Sequence, residues 1–142
     1  DLDRFKPVDD THRHANGDLV LTVVARRLAE RGATVARLGG DEFVLLTGDQ
    51  NPAGTAAWLL GVLGAPIALP SGVHVRVGAS VGVRLLTGAS VGLDSALDHA
   101  DLAMRFAKRA PRCAVVVWTA DLPEPGTADP TRGGYDRIEA AR

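Results

Sequence analysis

Thr34-Val35-Ala36-Arg37-Leu38-Gly39-Gly40-Asp41-Glu42-Phe43-Val44-Leu45-Leu46-Thr47 sets two short apolar runs on either side of a Gly-Gly-Asp turn. Runs of this length around glycines, which supply the positive φ of a tight reversal, read as a β-hairpin over Thr34 to Leu38 and Glu42 to Thr47. Upstream, Val20, Leu21, Val24, Ala25 and Leu28 recur at spacings of three and four, which predicts a helix from about Ala15 to Arg31 ended by Gly32. Asp1 to Phe5 reads as the end of a strand running into a turn at Lys6-Pro7, because Pro7 has no N–H to give to a ladder. Downstream, Asn51-Pro52 is a cap and first-turn pair for a helix to about Leu63. Val73, Val75, Val77, Ala79, Val81 and Val83 alternate strictly, which predicts one long strand, or a bulged pair broken near Gly78. Asp94 or Ser95 can cap a helix carrying Leu97, Ala100, Met104 and Ala107 on one face, with Pro111 ending it and Cys113 to Trp118 as the last strand. Helices mixed with a hairpin-containing sheet predict an α+β fold, with helices packed on a largely antiparallel sheet.

The totals narrow the function. A chain of 142 residues, 46% hydrophobic and 23% charged, is one domain with a real core. Sixteen basic against seventeen acidic residues, with 4% aromatics and no basic run, argue against a nucleic-acid partner. The single Cys113 cannot close an internal disulfide and lies in an apolar run, so a buried thiol in a reducing compartment is expected. The uncharged stretch between Asp49 and Arg76 is interrupted by Gly61, Gly64 and Pro66, and its apolar part is shorter than the roughly 20 residues of a spanning helix. With an opening on Asp rather than on a basic and then apolar segment, a cytoplasmic domain is expected, in a full-length protein that a region N-terminal to it could anchor to a membrane. Beyond Trp118, Pro and Gly accumulate, so residues 1–118 are read as the domain and 119–142 as a linker or tail.

Charge is unevenly spread. Five Asp residues (Asp1, Asp3, Asp9, Asp10 and Asp18) fall within the first eighteen positions. A second acidic pair, Asp41-Glu42, sits in the hairpin turn. If the first strand and the hairpin are neighbours, Asp1 and Asp41 can share a hard divalent cation, since Mg²⁺ takes oxygen ligands from one or two carboxylates, water and phosphate. Lys6 could then reach a phosphate. Taken alone, a Gly-Gly-Asp turn is only a good turn, and Asp residues at strand ends are commonly solvated.

The longer strings add to this. Arg37-Leu38-Gly39-Gly40-Asp41-Glu42-Phe43 resembles the signature of the GGDEF family, the diguanylate cyclases. Asp1-Leu2-Asp3-Arg4-Phe5-Lys6 resembles its D-x-D-x-F-K segment, and Thr11 to Asp18 its T-x-G-H-x-x-G-D segment. Ser80-Val81-Gly82 is similar to its S-x-G strand, and Ala100 to Lys108 to its A-D-x-A-M-Y-x-A-K helix. The resemblance implies a nucleotidyl-cyclase palm-like (ferredoxin-like) domain that joins two GTP into cyclic di-GMP with release of pyrophosphate. It implies a homodimer, because each domain would hold one GTP. By motif position it implies Asp1, Asp41 and the Leu2 carbonyl as ligands of Mg²⁺, with Mn²⁺ as the alternative ion. It implies Asp41 as base with Glu42 beside it, Phe5 and Lys6 at the triphosphate, Asp9 and Asp18 at guanine, and Lys108 and Arg112 on phosphates. In the resembled family a helix and most of a central strand precede the first metal Asp, so the domain is expected to lack those elements here, and a sensor or further signalling domain is expected in the same protein.

Several positions depart from the pattern. Asp9 stands where the family usually has Asn; an amide donates to guanine O6 and a carboxylate only accepts, which raises altered base choice. Arg13 replaces a Gly before His14, and Arg105 replaces a Tyr after Met104. His12 and His14 lack a third ligand at metal spacing, so loop packing is expected of them. Glu30 and Ala33 occupy the positions of the family's R-x-x-D product-inhibition site, so no feedback through that site is expected. A catalytically silent domain that binds GTP or cyclic di-GMP as a sensor or scaffold is the competing reading.

Overall fold

The structure, a computed structural model, describes residues 1–12, 14–86, 91–110 and 114–122. Its contacts divide the chain into two units, Asp1–Ala79 and Ser80–Arg142. The first unit opens on strand β1 (Leu2–Asp3) and turns at once into helix α1 (Phe5–His12). The turn expected at Lys6-Pro7 is therefore the first turn of a helix. Pro7 is its third residue, where the missing N–H would have had no intrahelical acceptor, so the ring is tolerated. Helix α2 (His14–Ala29) follows, with Val20, Leu21, Val24 and Leu28 buried as its periodicity predicts. Gly32, at φ 70°, turns the chain out of it.

Strands β2 (Thr34–Gly39) and β3 (Glu42–Leu46) form the antiparallel hairpin, pairing Thr34 with Leu46 through to Arg37 with Phe43. The register then shifts, so that Leu38 is bulged and Gly39 pairs with Glu42. Of the two turn glycines only Gly40 takes positive φ, at 49°. Arg37 Nε donates to the Gly40 carbonyl at 2.8 Å and braces the turn.

Helix α3 (Pro52–Gly64) begins as its sequence predicts, with Asn51 Oδ1 accepting from the Gly54 amide at 3.0 Å. No glycine cap ends it. Arg27 of α2 instead donates to the carbonyls of Val62, Ala65 and Pro66 at 3.0, 2.8 and 2.8 Å, placing a cation at the negative end of the helix.

The alternating run from Val73 to Val83 is neither one strand nor a single bulged pair. It breaks into β5 (His74–Val75), β6 (Gly78–Ala79) and β7 (Val81–Val83), each with a different partner. Strand β5 pairs with β4 (Ile67–Ala68), a strand too short for a local sequence pattern to mark, and β6 pairs antiparallel with β1, Leu2 opposite Ala79.

The second unit is built on β7 and β8 (Val115–Val117), which run parallel, with α4 (Leu93–Arg109) packed on both. Ala103, Phe106 and Ala107 of α4 meet Val116 and Leu122 in its core. The expected caps Asp94 and Ser95 lie inside α4, and its N-cap is Gly92. Asp94 still sits in the first turn, where a carboxylate favours the helix dipole. Among the described residues, three of the four strand pairs are antiparallel. No helix among the described residues is long and apolar enough to cross a membrane. Arg13, Pro111, Arg112, Cys113 and the expected tail beyond residue 122 lie outside the described residues, as do the side chains of His12 and His14.

Candidate functional site

Two segments 40 residues apart in sequence meet in the first unit. The Leu2 amide donates to the Asp41 carbonyl at 3.2 Å, so β1 joins the hairpin at its turn. On its other side β1 is fixed by pairing with β6, and Leu2 is 4% exposed. Burying Leu2 anchors the strand and leaves Asp1 and Asp3 half-buried on either side of it. Asp41 is also half-buried, at the tip of the turn, while Glu42 is exposed at the start of β3. The spacing of Asp1 and Asp41 from the Leu2–Asp41 hydrogen bond brings their main chains side by side. The oxygen types at this junction, carboxylate and carbonyl, are those a hard divalent cation takes, although among the described residues no three His, Cys, Asp or Glu side chains are gathered closely enough to hold a metal ion by themselves.

Between β1 and α1 the backbone reverses through Arg4, at φ 65° the one non-glycine residue with positive φ among those described. A non-glycine side chain in that region costs energy of order 1 kcal/mol and persists where the surrounding fold demands it. The reversal puts Phe5 and Lys6 in the first turn of α1, directly after the Asp1–Asp3 strand. Lys6 is exposed and Phe5 half-buried. First-turn amides of a helix lack intrahelical acceptors, and this turn carries no acidic residue to compete for them.

Further along α1, the Asp9 side chain lies against Gly17 of α2, the residue before Asp18. Asp18 is exposed. Asp1, Leu2, Phe5, Lys6, Asp9, Asp18, Asp41 and Glu42 all belong to the first unit, at β1 or the residue before it, on α1, near the start of α2 and at the hairpin turn, and the contacts that join these segments are Leu2 to Asp41 and Asp9 to Gly17.

Lys108 belongs to the second unit, exposed in the last turn of α4. Arg105, in place of Tyr, forms an ion pair with Asp101 one turn back, on the exposed face of α4. Gly82 of the Ser80-Val81-Gly82 segment brings β7 against the backbone of α4: a Cβ there would lie 1.9 Å from the Ala100 carbonyl oxygen.

A family profile described as "Diguanylate cyclase, GGDEF domain" matches residues 1–113. The chain belongs to the GGDEF family. It is 42% identical over 114 residues to the bifunctional diguanylate cyclase/cyclic di-GMP phosphodiesterase MucR of Pseudomonas aeruginosa, covering 76% of this chain and 16% of MucR. The crystal structure of the GGDEF domain of TpbB from Pseudomonas aeruginosa superposes with a TM-score of 0.74 at 35% identity, covering 85% of this chain and 80% of that one. The diguanylate cyclase SiaD of Pseudomonas aeruginosa, solved in complex with its activator SiaC, gives a TM-score of 0.71 at 30% identity, covering 82% of this chain and 47% of SiaD. The fold is thus that of GGDEF domains, the palm-like cyclase architecture that the sequence resemblance implied.

Within this GGDEF domain, the sequence alone gives no role to Gly17 and does not mark Arg4. A hidden signal for Arg4 was the abrupt change from Asp-Leu-Asp to a helix-compatible run, which leaves one residue to make the reversal. It also missed a stack in the second unit, where His99 lies 3.8 Å from Trp118, centroid to centroid, and Arg84 lies 4.4 Å from the Trp118 ring. These three come from α4, the residue after β8 and the residue after β7, and no local pattern links them.

Proposed function

We propose that this GGDEF domain is a diguanylate cyclase that condenses two GTP into cyclic di-GMP and releases two pyrophosphates. The observation that carries the reading is the Leu2–Asp41 hydrogen bond, which joins the Asp1-Leu2-Asp3 strand to the Gly39 to Phe43 turn in a chain of this family. Mg²⁺, or Mn²⁺ in its place, would be held by the Asp1 and Asp41 carboxylates and the Leu2 carbonyl; when bound, such an ion neutralises phosphate charge and polarises the α-phosphate. Phe5 and Lys6 seat the triphosphate at the N-terminus of α1, a position suited to anions, and Lys6 offsets charge that develops on the leaving pyrophosphate. Asp18 accepts from guanine N1–H and the N2 amino group, and Asp9 offers a second acceptor. Lys108 and Arg112 bind phosphate oxygens.

In the reaction the 3′-oxygen of one GTP attacks the α-phosphorus of the other, and the bond from that phosphorus to the bridging oxygen breaks as pyrophosphate leaves. The hydroxyl proton passes to the Asp41 carboxylate, with Glu42 beside it. The same step in the opposite sense closes the ring. Since one domain would hold one GTP, two domains must face each other, and a sensor or signalling domain in the same protein would control that pairing. The nucleotide substrate places the domain, proposed to span 1–118, on the cytoplasmic side.

The test is incubation with GTP and Mg²⁺, followed by chromatography for cyclic di-GMP, beside Asp41→Asn. Product from the parent and none from the variant supports the enzyme. GTP binding without product in either supports the silent sensor instead, a reading that the acceptor-only Asp9 would favour.

A further inference from the structure

Gly17 is buried near the start of α2, and the place where its side chain would stand is already filled. A Cβ there would lie 2.1 Å from Asp9 Oδ1, 3.0 Å from its Cγ and 3.4 Å from its Cβ. The Asp9 carboxylate therefore reaches across from α1 and rests on the bare backbone of α2, one residue before Asp18. Any side chain at position 17 displaces it. The obstacle is the end of a short side chain, not main chain, so Ala at 17 is accommodated by turning Asp9 away while both helices stay in place. This differs from Gly82, where the obstacles are the Ala100 carbonyl and the Met104 amide.

We propose that Gly17 is a positioning residue for the nucleobase: it sets the Asp9 carboxylate beside Asp18, so that α1 and α2 together offer two acceptor-only groups at one place. This rests on the reading above, in which Asp9 and Asp18 meet the base. A pair of carboxylates accepts hydrogen bonds and gives none, so it selects a base edge rich in N–H donors, and its selectivity depends on the separation of the two groups. Gly17 acts on that separation and on nothing at the triphosphate.

The test uses the full chain with Mg²⁺ and two ligands, inorganic triphosphate and GTP supplied as a non-hydrolysable analogue so that it is not turned over, with affinities measured by calorimetry for the parent, Gly17→Ala, Asp9→Ala, the double variant and Asp18→Ala. Gly17→Ala is expected to weaken GTP by roughly fivefold to tenfold, the scale of one lost hydrogen bond, and to leave triphosphate unchanged. In the Asp9→Ala background the same substitution is expected to add nothing, because its effect runs through Asp9. Equal weakening of both ligands, no weakening of GTP, or an effect that persists without the Asp9 carboxylate overturns the proposal. If Asp18→Ala leaves the GTP-to-triphosphate ratio unchanged, the base reading itself fails and the proposal with it. A lowered ratio in Asp18→Ala beside an unchanged one in Gly17→Ala sinks the role of Gly17 alone. Should Gly17→Ala lose its helical circular dichroism, Asp9→Glu moves the carboxylate off Gly17 without touching α2, and the same loss of GTP over triphosphate is expected.

Discussion

Gly82→Ala tests the packing of the second unit most severely. The new Cβ would lie 1.9 Å from the Ala100 carbonyl oxygen, 2.4 Å from the Met104 amide nitrogen and 2.9 Å from the Met104 Cβ. Ala100 and Met104 are four apart on α4, so the methyl group would intrude on the peptide hydrogen bond that joins them. A carbon approaches a carbonyl oxygen to about 3.3 Å, so β7 must back away from α4 by more than an ångström. Neither side can give cheaply, because α4 is a regular helix and β7 is held in register with β8 through Val81–Val115 and Val83–Val117. Overpacking a core costs about 1–3 kcal/mol when side chains can adjust, and with main chain on both sides the cost here is put at about 3 kcal/mol or more. For a chain of this size that is a fall in Tm of roughly 10 °C. Gly61 supplies the control: it lies exposed within α3 with nothing near its missing Cβ, so Gly61→Ala should stabilise by about 0.5–1 kcal/mol. Thermal melts of the two variants followed by circular dichroism decide the matter. A Gly82→Ala melt within about 2 °C of the parent would refute the close approach of β7 to α4.

Arg27→Met removes three hydrogen bonds to the carbonyls of Val62, Ala65 and Pro66 and should cost about 2 kcal/mol; a urea midpoint equal to the parent's would contradict the clamp. The Asp49 carboxyl is held below its ordinary value of 3.8, first by the Asn51 amide, then by the Thr55 hydroxyl and by Arg31. A depressed carboxyl stabilises the fold above its unfolded pKa and loses that contribution as pH falls through the folded value. The Tm difference between the parent and Asp49→Asn should therefore be full at neutral pH and shrink below about pH 4; a difference that grows on acidification would reverse the sign. Glu30 and Ala33 carry no R-x-x-D pair, so added cyclic di-GMP should not inhibit at submicromolar concentration; submicromolar inhibition that raising the GTP concentration does not relieve would overturn this.

The hairpin could be read from sequence because Gly39-Gly40-Asp41 interrupts two apolar runs, and α3 because Asn51 and Pro52 are local start signals whose meaning needs no partner. Helix α1 was hidden because Pro7 reads as a breaker unless its place in the first turn is known, and that place depends on Arg4 making the reversal. The Val73 to Val83 run alternates as one strand would, yet which strand each part pairs with is decided by distant residues, Leu2 for Ala79 and Val115 for Val81. The start of α4 offered Asp94 and Ser95 as caps, but an acidic residue fits the first turn as well as the cap, and composition does not separate the two. For the site, residue types and motif order named the candidates. Their assembly rests on one long-range contact, from the Leu2 amide to the Asp41 carbonyl, which no local pattern contains.

On this reading the Leu2–Asp41 junction holds the metal of a nucleotide site. It is tested most directly by electron paramagnetic resonance of Mn²⁺ bound in the presence of a non-hydrolysable GTP analogue, for the parent, Asp1→Asn and Asp41→Asn. The parent should hold Mn²⁺ tightly, and both variants should lose it. Undiminished Mn²⁺ binding in either variant would contradict it.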